Sequence, residues 1–133
     1  MTVGTQPPVN SRQALQDGIW LRGIANGQNR SFVSGITAHA GGTKAAAFQL
    51  PAAVSFIEVG TVVSVADSVL APQAAAGSEF CIYNAGANSL DIYGRGTDTI
   101  NAASTATAYV LGAGVSARFF CAINSAWAAI KSA

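Results

Sequence analysis

The stretch Glu79-Phe80-Cys81-Ile82-Tyr83-Asn84 decides the fold class. It is followed by Ala85-Gly86-Ala87-Asn88 and then by Ser89-Leu90-Asp91-Ile92-Tyr93. Two short apolar runs on either side of Gly and Asn, which adopt turn conformations readily, are typical of a β-hairpin. A second such pair lies at 115–123 and 127–130, around the turn at 124–126. These segments predict an all-β protein.

The two predicted hairpins resemble each other, since Phe80 to Asn84 parallels Phe120 to Asn124. The similarity is compatible with an internal duplication and with convergent hairpin chemistry. Further short apolar runs are bounded by Gly, Pro or Asn and lie at 54–59, 61–65, 68–70, 99–101 and 109–111. About eight short antiparallel strands with regular turns favour a small β-sandwich or barrel. We assign it to residues 45–133.

Residues 1–44 are rich in Gly, contain Pro7-Pro8 and show little sustained periodicity. Because a long segment of this kind rarely folds alone, we interpret it as an extended N-terminal arm. Ser11 is a suitable N-cap for one short helical turn over 12–17. Trp20 and Phe32 are the candidate interface anchors, since buried aromatic groups dominate binding energy. Packing of Trp20 on its own β domain is the alternative.

Half of the residues are hydrophobic and only 10% are charged, with a net charge of +1. A surface with so few charges indicates contact with other protein, as in a homo-oligomer or a lattice; an Ala-rich domain with a Thr, Ser, Asn and Gln surface is the alternative. Lys and Arg are scattered singly, which predicts no nucleic-acid partner. No apolar run reaches the ~18–20 residues of a membrane span, and the N-terminus lacks signal-peptide features, so we expect neither a membrane partner nor Sec export.

The sequence shows no constellation typical of an active site, so we expect no catalytic, cofactor-binding or metal-binding residues. His39 is the one histidine and lies between alanines. Asp67 and Asp98 lie in turn-like sequence, where Asp side chains cap backbone N–H groups. Cys81 and Cys121 follow Phe residues in apolar runs, which favours buried thiols, with a disulfide between neighbouring strands as the alternative. A carbohydrate-binding patch could be formed by three aromatic residues, Tyr83, Tyr93 and Trp127. Positions in the core or in an interface are favoured for these residues.

A succession of segments resembles small virion structural proteins of tailed bacteriophages, of the capsid-decoration (cement) or head-fibre type. The segments run through Ala66 to Leu70, Pro72, Ala76-Gly77, Ile82 to Leu90, Gly96 to Asn101, Phe120-Cys121 and Trp127, and the resemblance covers roughly residues 54–130. It implies a location on the capsid surface of a virion assembled in the host bacterial cytoplasm. It also implies oligomers and the absence of an enzymatic site, and it assigns no functional residue.

We therefore expect a structural protein that decorates and cements the outside of a phage capsid. Its partners would be the major capsid protein and further copies of itself, and a homotrimer at a local threefold axis is a natural geometry. The alternative is a head-fibre or tail-fibre subunit that binds a host-surface glycan. In that case residues 1–44 would serve attachment and a loop such as Gly94 to Asp98 would face outward.

Overall fold

The structure is a computed structural model, and it describes residues 31–132. These residues form ten short β-strands and no helix. The strands are β1 (Phe32–Thr37), β2 (Phe48–Gln49), β3 (Phe56–Thr61), β4 (Asp67–Leu70), β5 (Glu79–Asn84), β6 (Leu90–Tyr93), β7 (Thr99–Ile100), β8 (Tyr109–Leu111), β9 (Ser116–Ile123) and β10 (Ala126–Lys131). Within this part of the chain, no helix could cross a membrane.

The strands form two sheets that the chain visits alternately. One sheet has the order β1-β3-β5-β9-β10-β7 and the other has the order β2-β4-β6-β8. The first three strands of each sheet are parallel. In the six-stranded sheet Phe32 pairs with Phe56 and Phe56 pairs with Cys81, so equivalent positions recur about every 24 residues. This is a β-solenoid of three coils, each contributing one strand to each sheet.

The all-β prediction is confirmed, but the predicted sandwich or barrel of antiparallel strands is wrong. The hairpin predicted over 79–93 is wrong for the same reason, since β5 and β6 lie in different sheets. Each of them pairs instead with the equivalent strand of the preceding coil, β3 or β4. A short apolar run followed by a turn occurs both in an antiparallel hairpin and in a solenoid coil. This pattern therefore does not identify which strand lies beside it.

The hydrophobic core lies between the two sheets. Alternate residues of each strand point inward, so Phe80 and Ile82 of β5 are buried whereas Glu79 and Tyr83 are exposed. The largest fully buried apolar side chains come from both sheets and from the connection before Pro51; they are Leu50, Val59, Val69, Ile82, Leu90, Ile92, Leu111 and Phe119.

An antiparallel hairpin covers the end of the solenoid that follows the third coil. It consists of β9 and β10, which confirms the hairpin predicted from 115–130. Strand β9 pairs with β5, and β8 closes the second sheet against β6. Phe80 and Phe119 stack with ring centroids 4.8 Å apart, and Trp127 meets Phe80 edge-on at 5.1 Å. Both are favourable aromatic geometries, so the cap is joined to the last coil by backbone pairing and by an aromatic cluster.

The predicted boundary between arm and domain at residues 44 and 45 falls inside the first coil. Strand β1 pairs with β3 over Phe32–Thr37, and His39 forms a bridge with Ser68. Residues 31–44 therefore belong to the solenoid rather than to an extended arm. The sequence did not indicate this strand because Gly35, at a positive φ of 72°, interrupts the apolar alternation at a register shift. The helical turn predicted over 12–17 and the anchor Trp20 lie outside the described residues.

Asn84 turns the chain from the six-stranded sheet into the second sheet. Its side chain is fully buried. The Nδ2 group donates to the carbonyl oxygens of Asn88 at 2.8 Å, Leu111 at 2.9 Å and Gly112 at 3.1 Å, and Oδ1 accepts from the amide of Gly86 at 2.9 Å. One side-chain amide thus forms the hydrogen bonds of the corner of the third coil and attaches this corner to the end of β8.

Replacing Asn84 with Asp tests this corner. The carboxylate cannot donate to the three carbonyl groups and would place a negative charge among their oxygen atoms. We expect N84D to lower the free energy of unfolding by about 2–4 kcal/mol, measured by urea denaturation at pH 7.

Asn124→Asp is the matched control. Asn124 is exposed and its Oδ1 accepts from the amide of Ala76 at 2.9 Å, a role that a carboxylate retains. We expect N124D to change stability by less than about 0.5 kcal/mol. Equal losses in the two variants would contradict the role assigned to Asn84.

Candidate functional site

A row of side chains runs across the outer face of the six-stranded sheet. Phe32 of β1, Phe56 of β3, Cys81 of β5 and Arg118 of β9 are successive register partners. Aligned strands place such residues beside one another on one face of the sheet. Because the parallel coils repeat without a shift at these positions, two phenylalanine side chains are adjacent on the outside of the protein.

This row borders a shallow groove, which we name the outer-face groove. It is lined mostly by apolar and aromatic residues of β1, β3 and β5, with Ser116 of β9 at one side, and has a volume of about 340 Å³. Phe32 is 74% exposed, Phe56 is 42% exposed and Tyr83 is 44% exposed. Large apolar side chains grouped on one face are unusual on a surface with no binding role.

The charged groups around the outer-face groove are paired within the protein. Glu58 Oε1 accepts from the amide of Gly35 at 3.0 Å. Arg118 forms an ion pair with Glu79, and its guanidinium lies 5.6 Å from the ring centroid of Phe120. An apolar centre with a polar rim is the usual anatomy of a protein interface. Since the rim groups keep their internal partners, a protein could cover the centre without leaving these groups unsatisfied.

Phe32, one of the two predicted anchors, lies at the first strand of this face. Phe56 and Tyr83 belong to the same surface, and the sequence did not single them out as anchors. The 24-residue spacing between Phe32 and Phe56 is the signal that could have grouped them. The same spacing continues to Phe80, but Phe80 is buried and Cys81 takes the outer position. A one-residue shift in register moves a side chain to the other face of a strand.

The two cysteines lie on opposite faces of the same sheet. Cys121 is buried in the core, and its thiol donates to the carbonyl of Ile123 at 2.9 Å. Cys81 is half-buried on the outer face between Phe56 and Arg118. Side chains that project from opposite faces cannot form a disulfide. The structure therefore favours the predicted thiols over a bridge between neighbouring strands, and the predicted burial holds for Cys121 but not for Cys81.

The acidic residues predicted to cap turns bind backbone amides. Asp67 is buried, and its Oδ2 accepts from the amides of Val63 at 2.9 Å and Ser64 at 3.0 Å. Asp98 Oδ2 accepts from the amide of Ala74 at 2.7 Å, which lies in the loop of the preceding coil. His39 is exposed. No group of three or more His, Cys, Asp or Glu side chains lies close enough within residues 31–132 to hold a metal ion.

The three aromatic residues considered as a carbohydrate-binding patch do not form one surface. Trp127 is buried in the core and its indole N–H donates to the carbonyl of Pro72 at 3.2 Å. Tyr93 is buried and its hydroxyl donates to the carbonyl of Gly42 at 2.8 Å. Burial, and secondly the Asp91 carboxylate, raise the pKa of Tyr93. Tyr83 alone of the three is exposed, on the outer face of the six-stranded sheet.

Asp91 provides a pH-dependent test of the second sheet. Burial raises the pKa of its carboxyl above the ordinary value of 3.8, so the folded state binds this proton more tightly than the unfolded state. The protonated carboxyl of Asp91 makes its full contribution to stability below pH 3.8. This contribution is lost as the pH rises through the pKa of Asp91 in the folded state. We therefore expect Asp91→Asn to be more stable than the native chain at pH 7, by a margin that disappears below pH 3.8, in thermal denaturation from pH 2.5 to 7. A margin that does not depend on pH would contradict this explanation.

Comparisons of the chain with protein-family models, with curated proteins and with solved structures found no match. The assignment of the outer-face groove as the candidate site therefore rests on the exposed aromatic side chains and on their paired polar rim.

Proposed function

We propose that this chain is a structural, non-catalytic protein that decorates and stabilises the outside of a tailed-phage capsid. The observation that carries the proposal is the outer-face groove with its exposed aromatic side chains. Phe32 leaves most of its ring in water, and an aromatic group that enters a pocket on a partner contributes strongly to binding. The resemblance of residues 54–130 to phage decoration and head-fibre proteins indicates the kind of partner, which is the major capsid protein.

The rigidity of the solenoid supports a cementing role. The outer face is built on strands that pair on both sides at β3, β5 and β9, so its side chains keep their positions before a partner arrives. A preorganised surface loses little conformational entropy on binding. When many copies bind equivalent capsid sites, moderate individual contacts add up, because each bound copy holds neighbouring subunits together.

Self-association forms the second part of this proposal. Only 10% of the residues are charged, and apolar side chains are exposed outside the groove as well, at Val63, Val65 and Ile123. We propose a homotrimer, because a closed cyclic oligomer suits a local threefold axis of a capsid.

Analytical ultracentrifugation of the full chain tests the trimer. We expect a sedimentation-equilibrium mass of three times the chain mass at micromolar concentration, with dissociation on dilution. A mass of one chain across the micromolar range would exclude the trimer in the unbound state.

Phe32→Ser tests the role of the outer face. Because Phe32 is 74% exposed, its replacement should leave the melting temperature nearly unchanged. We expect at least about tenfold weaker binding to particles of the phage that encodes the chain, measured by co-sedimentation with particles that lack the native protein. Cryo-electron microscopy of particles saturated with the native chain should show density over capsomer junctions.

Phe48→Ser is the matched control, since Phe48 is 43% exposed and lies on β2 of the other sheet, outside the outer-face groove. It removes the same kind of side chain from another surface and should keep native binding. Equal binding by the native, Phe32→Ser and Phe48→Ser chains would contradict the proposed surface. Density confined to the tail or to a fibre tip would contradict the capsid role and favour the fibre alternative.

A further inference from the structure

A second groove lies where loops of successive coils meet, and it shares no lining residue with the outer-face groove. We name it the loop groove. It consists of two adjoining cavities of about 430 and 260 Å³ that share Gln73 and Arg95. The larger cavity lies within the range of about 300–1,000 Å³ that is typical of small-ligand sites. The other polar residues of the lining are Ser55, Ser78, Glu79, Thr97, Asp98 and Ser125.

The loop that carries Arg95 is held rigidly at several points. The amide of Asp98 donates to the carbonyl of Arg95 at 2.9 Å, and the Asp98 carboxylate fixes the amide of Ala74 at 2.7 Å. Lys44 Nζ donates to the carbonyls of Gly96 and Thr105, at 2.7 Å in each case. A Cβ atom at Gly94 would lie 2.4 Å from the carbonyl oxygen of Asp98, so this close approach requires glycine. The loop is preorganised, which lowers the entropy cost of binding a ligand.

One charged group of the loop groove is available to an anionic ligand. Glu79 is paired with Arg118, and Asp98 accepts a backbone amide. Arg95 is exposed and forms no ion pair among residues 31–132. A guanidinium group offers a planar pair of donors that matches a carboxylate. Arg95 is therefore the charged group of this groove that is available to a ligand.

The remaining lining groups favour a hydroxyl-rich ligand over a peptide. Gln73 supplies an amide, whereas Thr97 and Ser125 supply hydroxyls, and each of these groups can both donate and accept. The groove is bordered by loops, so it offers no free strand edge to an extended peptide. Apolar residues complete the lining of the larger cavity, and Phe80 and Trp127 among them are buried. The other apolar residues are Ala52, Ala53, Val54, Pro72 and Ala75.

We propose that the loop groove binds an acidic saccharide, with a sugar carboxylate on Arg95 and sugar hydroxyls on Gln73 and Thr97. This site is separate from the outer-face groove, and its existence does not depend on the capsid role proposed above. A subunit attached through its outer face would leave the loop groove available to saccharides of a bacterial surface.

Nuclear magnetic resonance titration of the full chain tests the proposal. The ligand is an oligomer of glucuronic acid, and glucose oligomers of equal length serve as the neutral control. We expect shifts of the amides of Gln73, Arg95 and Thr97 with the acidic oligomer and much weaker binding of the neutral one. Arg95→Gln should raise the dissociation constant about tenfold, since it removes one charge-assisted contact.

Lys131→Gln is the matched control because it removes one positive charge from an exposed residue of β10, outside the groove. It should leave the dissociation constant within about twofold, which falls below the effect of a lost charged contact. Gln73→Ala provides a second variant with an expected loss of binding. Three results would each overturn the proposal: no shifts at millimolar oligomer, equal loss in Arg95→Gln and Lys131→Gln, or equal binding of a glutamate peptide at the same amides.

Discussion

Backbone hydrogen bonds between parallel strands of successive coils are the constraint on which this structure depends. Residues about 24 positions apart in sequence are paired directly, as Phe32 is with Phe56. Once this pairing exists, each coil must turn at the same places, and the loops of neighbouring coils must stack. Asn84 meets that requirement at the third coil by bonding to backbone groups of the turn that follows it and to the carbonyl of Leu111 at the end of β8. Both surface grooves arise from the same repetition, one from aligned strands and the other from aligned loops.

The secondary structure was largely predictable from the sequence, whereas the topology was not. Strands β5 and β8 occur at the predicted residues, and β9 and β10 form the predicted hairpin. The local alternation of apolar and polar residues was sufficient to predict those strands. Parallel pairing depends on contacts between residues one coil apart, and no local pattern records which strand lies beside which. The similar segments 80–84 and 120–124 do not form equivalent strands of two coils, since β5 and β9 are antiparallel neighbours.

The candidate sites were predicted in part, and the physical reasons differ. Phe32 was identified as an anchor because it is an aromatic residue of the segment interpreted as an arm, and aromatic groups dominate interface energy. Its neighbours Phe56 and Tyr83 lie in regular strands, where aromatic residues usually indicate burial, so their exposure required knowledge of the register. The loop from Gly94 to Asp98 was identified as an outward loop, yet its connection to Ala74 through Asp98 spans two coils. Contacts of this kind depend on the three-dimensional stacking of loops.

The antiparallel cap makes the length of this protein adjustable. Strands β9 and β10 cover the end of a body whose coils pair through parallel strands. An inserted coil of similar length would therefore meet the same parallel neighbours on both sides, and the cap would still find a suitable last coil. Each insertion would lengthen the body by one strand spacing, about 4.8 Å. Insertion or deletion of whole coils would thus change the length of the solenoid in fixed steps, and neither the cap nor the corners would need a new sequence.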